Sequence, residues 1–312
     1  MCRRPHGSSG DGQGRPGHIG LPRYSAELDG VRAERVLPYA DRPRDQFRWD
    51  AEEYAKNSAA QLGWAQELIE KLALKGDESI LDIGCGDGKV SAELARRVPR
   101  GGVIGIDSSP DMIQKARSAF PATANLSFEL KDARELGFES RFDVVFSNAT
   151  LHWVKDHRAV LRSASRSLKP HGRLLFQLGG RGNGEEIFAV ARMMTESSAW
   201  QEYFIDFEFP WSFYGPEEYG AWCAEAGLSL RRAELLPKDM VQNGIEGLAG
   251  WIRTTWMPYT ARVPGERREA FIHEAANRYF LLHPGNEQGD ISVRMVRLEI
   301  EAEPNPRSTV AA

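Results

Sequence analysis

A chain of 312 residues that is 41% hydrophobic and 27% charged can bury a full core and has the composition of an ordinary soluble globular protein. Its net charge of −4 gives no electrostatic case for nucleic acid as a partner, and no apolar run approaches the ~20 residues of a membrane-spanning helix. Three cysteines, Cys2, Cys85 and Cys223, without CxxC spacing suggest neither a disulfide framework nor a zinc site, so a reducing, cytoplasmic setting is expected.

Residues 1–24 hold six glycines and four arginines against one acid, Asp11. Such a segment buries too little apolar surface to offset its ordering entropy, so residues 1–45 are expected to be a disordered tail. It lacks the apolar centre of a secretory signal, and its glycines make a poor amphipathic targeting helix. From Ala51 to Leu74, Tyr54, Leu62, Trp64, Ala65, Leu68, Ile69 and Leu72 recur at threes and fours, which predicts a helix. Strands and helices then alternate: Ile80–Ile83, helix Lys89–Val98, Val103–Ile106, helix Asp111–Phe120, Leu126–Leu130, Phe142–Ser147, helix Arg158–Leu168 and Arg173–Leu178. That order implies βαβ units and a parallel sheet covered on both faces.

The stretch Ser-Ile-Leu-Asp-Ile-Gly-Cys-Gly-Asp-Gly-Lys-Val at 79–90 turns an apolar strand through three glycines into a helix. Glycine reaches φ > 0 and lets backbone approach a ligand closely. The next strand ends in Asp107, placed to meet a ribose. A dinucleotide fingerprint fails at its third glycine, because position 89 is lysine, and no phosphate-wrapping G-x-x-x-x-G-K-[ST] is present. Asp82 before the turn would repel a pyrophosphate and suit a cation. A ligand with adenosine and a positive centre, S-adenosylmethionine (SAM), therefore fits, against the alternative of a plain tight turn capped by Asp82.

Beyond Gly179 the composition changes, and six of the eight tryptophans lie from Trp153 onward. Residues 216–226 read as a helix, 228–236 as a strand, Ile245–Trp256 and Gly265–Leu282 as helices, and Ile291–Ile300 as one last strand with a bulge. Helical cap segments at about 180–215 and 240–285 are expected over the carboxyl ends of the strands.

Several segments resemble the class I SAM-dependent methyltransferases: Ile-Leu-Asp-Ile-Gly-Cys-Gly-Asp-Gly at 80–88, Gly-Ile-Asp-Ser-Ser at 105–109, Lys-Asp-Ala at 131–133, Phe-Asp-Val-Val-Phe-Ser-Asn-Ala at 142–149, Leu-His-Trp-Val at 151–154 and Leu-Lys-Pro at 168–170. Leu-His-Trp and Trp-Ile-Arg-Thr-Thr-Trp at 251–256 are more loosely similar to the trans-aconitate methyltransferase group, which methylates small carboxylic acids. The family commonly has glycine where this chain has His171. The resemblance implies an α/β, Rossmann-like, doubly wound, mostly parallel seven-stranded sheet with an α-helical cap insertion, spanning residues 46–312.

It also implies site roles. Gly84, Cys85, Gly86 and Gly88 would form the turn against SAM, with Asp82 near its ammonium and Asp107 on both ribose hydroxyls. Ser108 and Met112 would flank the adenine, Asp132 and the Ala133 amide would read its edge, and Asn148, after Ser147, would meet the amino-acid part. Tyr54 would close over SAM. Aromatic walls and a guanidinium suit a small acid, so Trp153, Trp251, Arg253, Trp256, Tyr259 and Arg294 are the candidate acceptor-binding residues, core packing being the alternative for the aromatics.

Methyl transfer from a sulfonium needs alignment above all. A carboxylate acceptor is already ionised and needs no base, whereas an amine, phenol or carbon acceptor would use one, and His152 is the candidate base or orienting residue. The expected activity is SAM-dependent methylation of a small molecule, foremost O-methylation of a small carboxylic acid. The alternatives are N- or C-methylation of a small metabolite, or SAM binding without catalysis. No metal, nucleic acid or membrane is expected.

Overall fold

The structure, a computed structural model, describes residues 59–306. The expected tail at 1–45 and Tyr54 lie outside the described residues. In chain order the elements are α1 (Ala59–Lys71), β1 (Ser79–Ile83), α2 (Lys89–Arg97), β2 (Gly102–Asp107), α3 (Pro110–Ala119), β3 (Leu126–Leu130), β4 (Phe142–Asn148), α4 (His157–Ser167) and β5 (Leu168–Gly179). They continue with α5 (Glu185–Thr195), α6 (Pro216–Glu225), β6 (Leu228–Pro237), β7 (Met240–Asn243), α7 (Gly244–Thr255), α8 (Met257–Thr260), α9 (Gly265–Leu282), β8 (Asp290–Val293) and β9 (Val296–Pro304).

Seven strands form one sheet in the order β3-β2-β1-β4-β5-β9-β6. β9 alone runs against the direction of the other six strands. The chain winds outward from β1 to β3 and then returns to β4, on the other side of β1. That reversal opens a crevice at the carboxyl ends of β1 and β4, where open α/β sheets bind ligands. The pleat divides each strand between the two faces. Val144, Phe146 and Leu175 pack with Leu68 and Ile69 of α1 and Leu94 of α2 on one face. Val145, Leu174 and Phe176 pack with Val160 and Leu161 of α4 and Tyr219 of α6 on the other.

The helix starts follow local chemistry. Ser109 caps α3 by accepting from the Met112 N–H, with Pro110 at the first helical position, and Asp156 caps α4 by accepting from the Ala159 N–H. Near its start β5 carries a bulge, because Phe142 pairs with Leu168 whereas Val144, two residues on, pairs with Arg173.

Two expectations need correction. The span Ile291–Ile300 is not one strand. Residues to Val293 pair with β7 in a separate two-stranded ribbon, the chain breaks at Arg294–Met295, and β9 then enters the main sheet. Hydrogen bonds fix that re-entry: Asn183 Oδ1 accepts from the Val296 N–H (3.1 Å), and the Gly180 N–H donates to the Val296 carbonyl (2.9 Å). The cap is also less helical than expected. Within 180–215 only α5 and a short 3₁₀ turn at Gln201–Phe204 are helical, and 240–285 includes β7. The cap elements close around Trp200, Trp211, Trp251, Trp256, Tyr259 and Phe271, against Trp64 of α1.

Candidate active site

The glycine turn is anchored to the second strand. The Gly84 and Cys85 amides both donate to the Ile106 carbonyl, at 2.7 and 2.8 Å. Gly84, Gly86 and Gly88 have φ of 74°, 53° and 84°, the left-handed region that side chains strain to adopt. Their surroundings differ. A Cβ on Gly84 would strike Thr150 and one on Gly88 would strike Phe128, whereas one on Gly86 would meet nothing within 4 Å. Protein packing therefore demands the outer two glycines. Gly86 faces the open crevice.

Two carboxylates flank the turn. Asp107 accepts from the Gly86 N–H (3.0 Å) and the Ser109 N–H (2.9 Å), and burial raises its pKa despite those bonds. Asp82 is 2% exposed and accepts from the Ser91 hydroxyl at 2.6 Å. Burial, with a smaller push from Asp107, raises its pKa to about 7 against the pull of Ser91. Burial and the same two carboxylates push the Cys85 thiol up, so it stays protonated and inert.

At the end of β4, Ala149 adopts φ 55° and the Thr150 hydroxyl lies 3.1 Å from the carbonyls of both Gly84 and Asn148. This ties β4 to the glycine turn. Ser147 donates to the Ile83 carbonyl and is structural. The Oδ1 of Asn148 is buried with no hydrogen-bond partner among the described residues. Met112 is buried, whereas Ser108 is exposed. Asp132 is taken up by Arg134, which donates to it through its amide (2.8 Å) and its guanidinium (2.6–3.1 Å). This pair holds Asp132 below the usual carboxylate range. Ala133 beside it is partly buried.

These residues fit SAM. An orphaned buried amide oxygen, an open glycine cradle, a carboxylate held by backbone amides and a buried acid of raised pKa lie around one crevice. Among the described residues no group of three or more His, Cys, Asp or Glu could hold a metal.

The expected acceptor residues do not all converge. His152, half-buried, accepts at Nδ1 from the Gly179 N–H (3.2 Å) and packs near Trp153 (5.9 Å) and Phe213 (6.1 Å). That bond leaves the proton of the neutral ring on Nε2. Burial, then the nearby Arg297 guanidinium, hold its pKa well below the ordinary imidazole range. Trp153 stands edge-on to Trp211 at 5.3 Å. Trp251, Trp256 and Tyr259 are core of the cap, although the Trp256 indole N–H is buried without a partner among the described residues. Arg253 is committed to Glu269 of α9 through Nε (2.9 Å) and Nη2 (2.5 Å), which fastens α7 to α9. Arg294 is exposed in the break between β8 and β9.

The sequence reading missed Arg297. Its guanidinium is 4% exposed and lies 4.4 Å over the Trp64 ring, opposite Gly179 in the β5–β9 register. Its signal was Val-Arg-Leu-Glu-Ile-Glu at 296–301, where charges alternate with apolar residues inside a central strand. Two-period alternation normally means a solvated face. Here that face is covered by α1.

The chain is similar to known methyltransferases in sequence and in fold. The methyltransferase domain family matches residues 80–172. An uncharacterized methyltransferase of Schizosaccharomyces pombe is 33% identical over 212 residues, covering 66% of this chain and 79% of that protein. A trans-aconitate 2-methyltransferase of Deinococcus radiodurans is 30% identical over 240 residues, covering 72% and 87%. In fold, the chain is similar to the crystal structure of a methyltransferase from Bacillus halodurans, with a TM-score of 0.53 at 21% identity over 77% of this chain and 98% of that one.

Proposed function

This chain belongs to the class I SAM-dependent methyltransferases, and within that family we propose that it O-methylates a small carboxylic acid. Bound SAM supplies a methyl group on a sulfonium, already a good leaving group. An acceptor carboxylate oxygen would take that methyl group as the C–S electron pair left with sulfur, so no proton would need to move. The chain's own residues bind, orient and exclude water, and alignment of this kind can contribute about 7–11 kcal/mol. Asp107 and the Gly86 backbone hold the ribose, Asp82 and Asn148 face the amino-acid part, and Met112 with the Asp132–Ala133 edge flanks the adenine.

The observation that carries the acid reading is His152. With Nδ1 occupied by the Gly179 amide, the neutral ring has no nitrogen left to accept a proton, so it orients and does not act as a base. An acceptor ionised beforehand suits that arrangement, and an amine, phenol or carbon acid does not. The positive charge of Arg297 nearby and relatives named for trans-aconitate support the same choice. The test is incubation of the full chain with labelled SAM and a pool of small carboxylic acids, followed by base. Label lost to base as methanol marks an ester. Label retained marks N- or C-methylation, and no transfer at all marks a SAM-binding protein.

A further inference from the structure

We infer that the acceptor is a monocarboxylic acid with a flat apolar body, taken up by a closed cycle of aromatic rings whose specificity-determining residue is Phe209. This deepens the acid-methylating reading above and rests on it. The cycle runs through His152, Trp153, Trp211, Phe188 and Phe213. Successive ring centroids lie 5.9, 5.3, 4.8 and 5.9 Å apart, and 6.1 Å from Phe213 back to His152 closes it. Among these described residues no ring contact crosses the cycle. Only Trp211 is buried, whereas the other four keep part of their surface open although aromatic neighbours flank each of them.

The cycle stands at the crevice. His152 and Trp153 follow the carboxyl end of β4, next to Thr150, whose hydroxyl reaches the Gly84 carbonyl of the glycine turn. Phe213 lies against Gly179, the last residue of β5, where a Cβ would come within 2.7 Å of the Phe213 ring. The walls are fixed in advance. Segments 152–155 and 209–212 are tied together by the Ser212 N–H, which donates to the His152 carbonyl (2.8 Å). The Lys155 ammonium adds bonds to the carbonyls of Phe209 (2.8 Å) and Trp211 (3.3 Å). Phe209, itself 41% exposed, closes the outer side. Its ring lies 5.3 Å from Phe188, 5.3 Å from Trp211 and 5.9 Å from Phe213, steeply inclined to all three at 85°, 69° and 69°.

Aromatic walls without charge describe what fits. Burial holds the His152 imidazole neutral. A second carboxylate inside the cycle would lose its water and find no opposite charge among the ring members, a costly exchange. A flat apolar body gives up little and meets ring faces and edges around it. Seated so, the acid leaves its one carboxylate at the His152 end, toward the crevice that fits the methyl donor. Phe209 sets the length of body admitted, because it is the exposed member of the set and its segment, residues 207–215, lies in neither helix nor strand.

The experiment compares benzoic, 2-naphthoic, cyclohexanecarboxylic and succinic acids as acceptors, using the full chain as wild type, F209A and F209Y. The wild type should take benzoic acid with a kcat/KM about tenfold or more above that for succinic acid. Cyclohexanecarboxylic acid, apolar but not flat, should fall between them. In F209A the KM for benzoic acid should rise about threefold to tenfold. The ratio of kcat/KM for 2-naphthoic over benzoic acid should increase in that variant, and SAM affinity by calorimetry should be unchanged. F209Y, which keeps the ring, should keep the wild-type order. Succinic or cyclohexanecarboxylic acid preferred over benzoic acid by the wild type overturns the acceptor class. Selectivity in F209A equal to wild type overturns the role of Phe209. Both of those results leave acid methylation standing. If the wild type esterifies no acid, benzoic acid is titrated by calorimetry into the chain saturated with S-adenosylhomocysteine. Binding that weakens in F209A then keeps the aromatic site and overturns acid methylation, and absence of binding overturns both.

Discussion

A Cβ placed on Gly84 would stand 2.0 Å from the Thr150 Cγ2 atom, whereas one placed on Gly86, two residues on in the same turn, would touch nothing. The turn thus separates two reasons for glycine, one internal and one kept for a ligand. We expect Gly84→Ala to lose stability twice over, about 1–2 kcal/mol for the left-handed backbone and about 1–3 kcal/mol for overpacking. Gly86→Ala should pay only the backbone cost, a fall in Tm of a few degrees, yet lose most SAM affinity. Thermal melts beside calorimetric titration check this. Equal SAM affinity in Gly86→Ala and wild type would contradict the assigned cradle.

How far this site could be read from the sequence follows from how local its causes are. The turn at 83–88 and Asp107 at the end of β2 depend on neighbours within a few residues, and the structure forms both. In the sequence Arg253, between two tryptophans, and Arg294, on the last expected strand, are the guanidiniums that suggest an acid pocket. Their fate was decided by Glu269, on another helix, and by the break that sends β8 to β7. Arg297 was hidden for the converse reason. Its alternating charged strand looks solvated until α1, remote in sequence, covers it with Trp64. Long-range covering of a face leaves no mark on the residues it covers.

Asp107 is held at both oxygens by backbone amides, and its burial disfavours the charge that would grip a ribose. The site thus bears a desolvation cost that charge-assisted bonds to two hydroxyls, about 1.5–3 kcal/mol each, can offset. Asp107→Ala should weaken SAM binding tenfold or more by calorimetry. An unchanged dissociation constant removes the ribose role.

Asp82 should link SAM binding to protons. Its pKa is raised to about 7, so below that pH the site carries a neutral acid whose proton is expelled when the ammonium of SAM arrives. Binding at pH 6 should release close to one proton and that at pH 9 almost none. Calorimetry in buffers of differing ionisation enthalpy reads this directly. Asp82→Asn should abolish the release, and release that persists in that variant assigns it to another group.

His152 donates nothing to proton transfer in the arrangement seen, because its acceptor nitrogen is engaged. We expect His152→Gln to lower kcat through lost alignment while leaving the shape of the kcat profile between pH 6 and 9 as in wild type. A wild-type profile that falls on the acid side, and loses that limb in the variant, would show a base after all.

A second histidine sets the acid limit of stability. His157 Nδ1 lies 2.7 Å from the Tyr219 hydroxyl, both are buried, and its Nε2 has no partner among the described residues. Burial lowers its pKa to about 4, so the neutral ring is what the fold accepts. A depressed imidazole contributes stability that is whole above its ordinary pKa of about 6.5 and is lost as pH falls through about 4. Asp82 works with the opposite sign, since a raised carboxyl contributes stability that is present below its ordinary range and lost as pH rises through about 7. The two slopes overlap between about pH 4 and 6.5, and single substitutions separate them. In Tm measured against pH, His157→Gln should flatten the acid limb and Asp82→Asn the neutral one. Tyr219→Phe, which strips His157 of its partner, should cost about 1–3 kcal/mol at neutral pH. If His157→Gln leaves the acid limb as steep as in wild type, the acid sensitivity belongs to the carboxylates in the ion pairs and not to the buried ring.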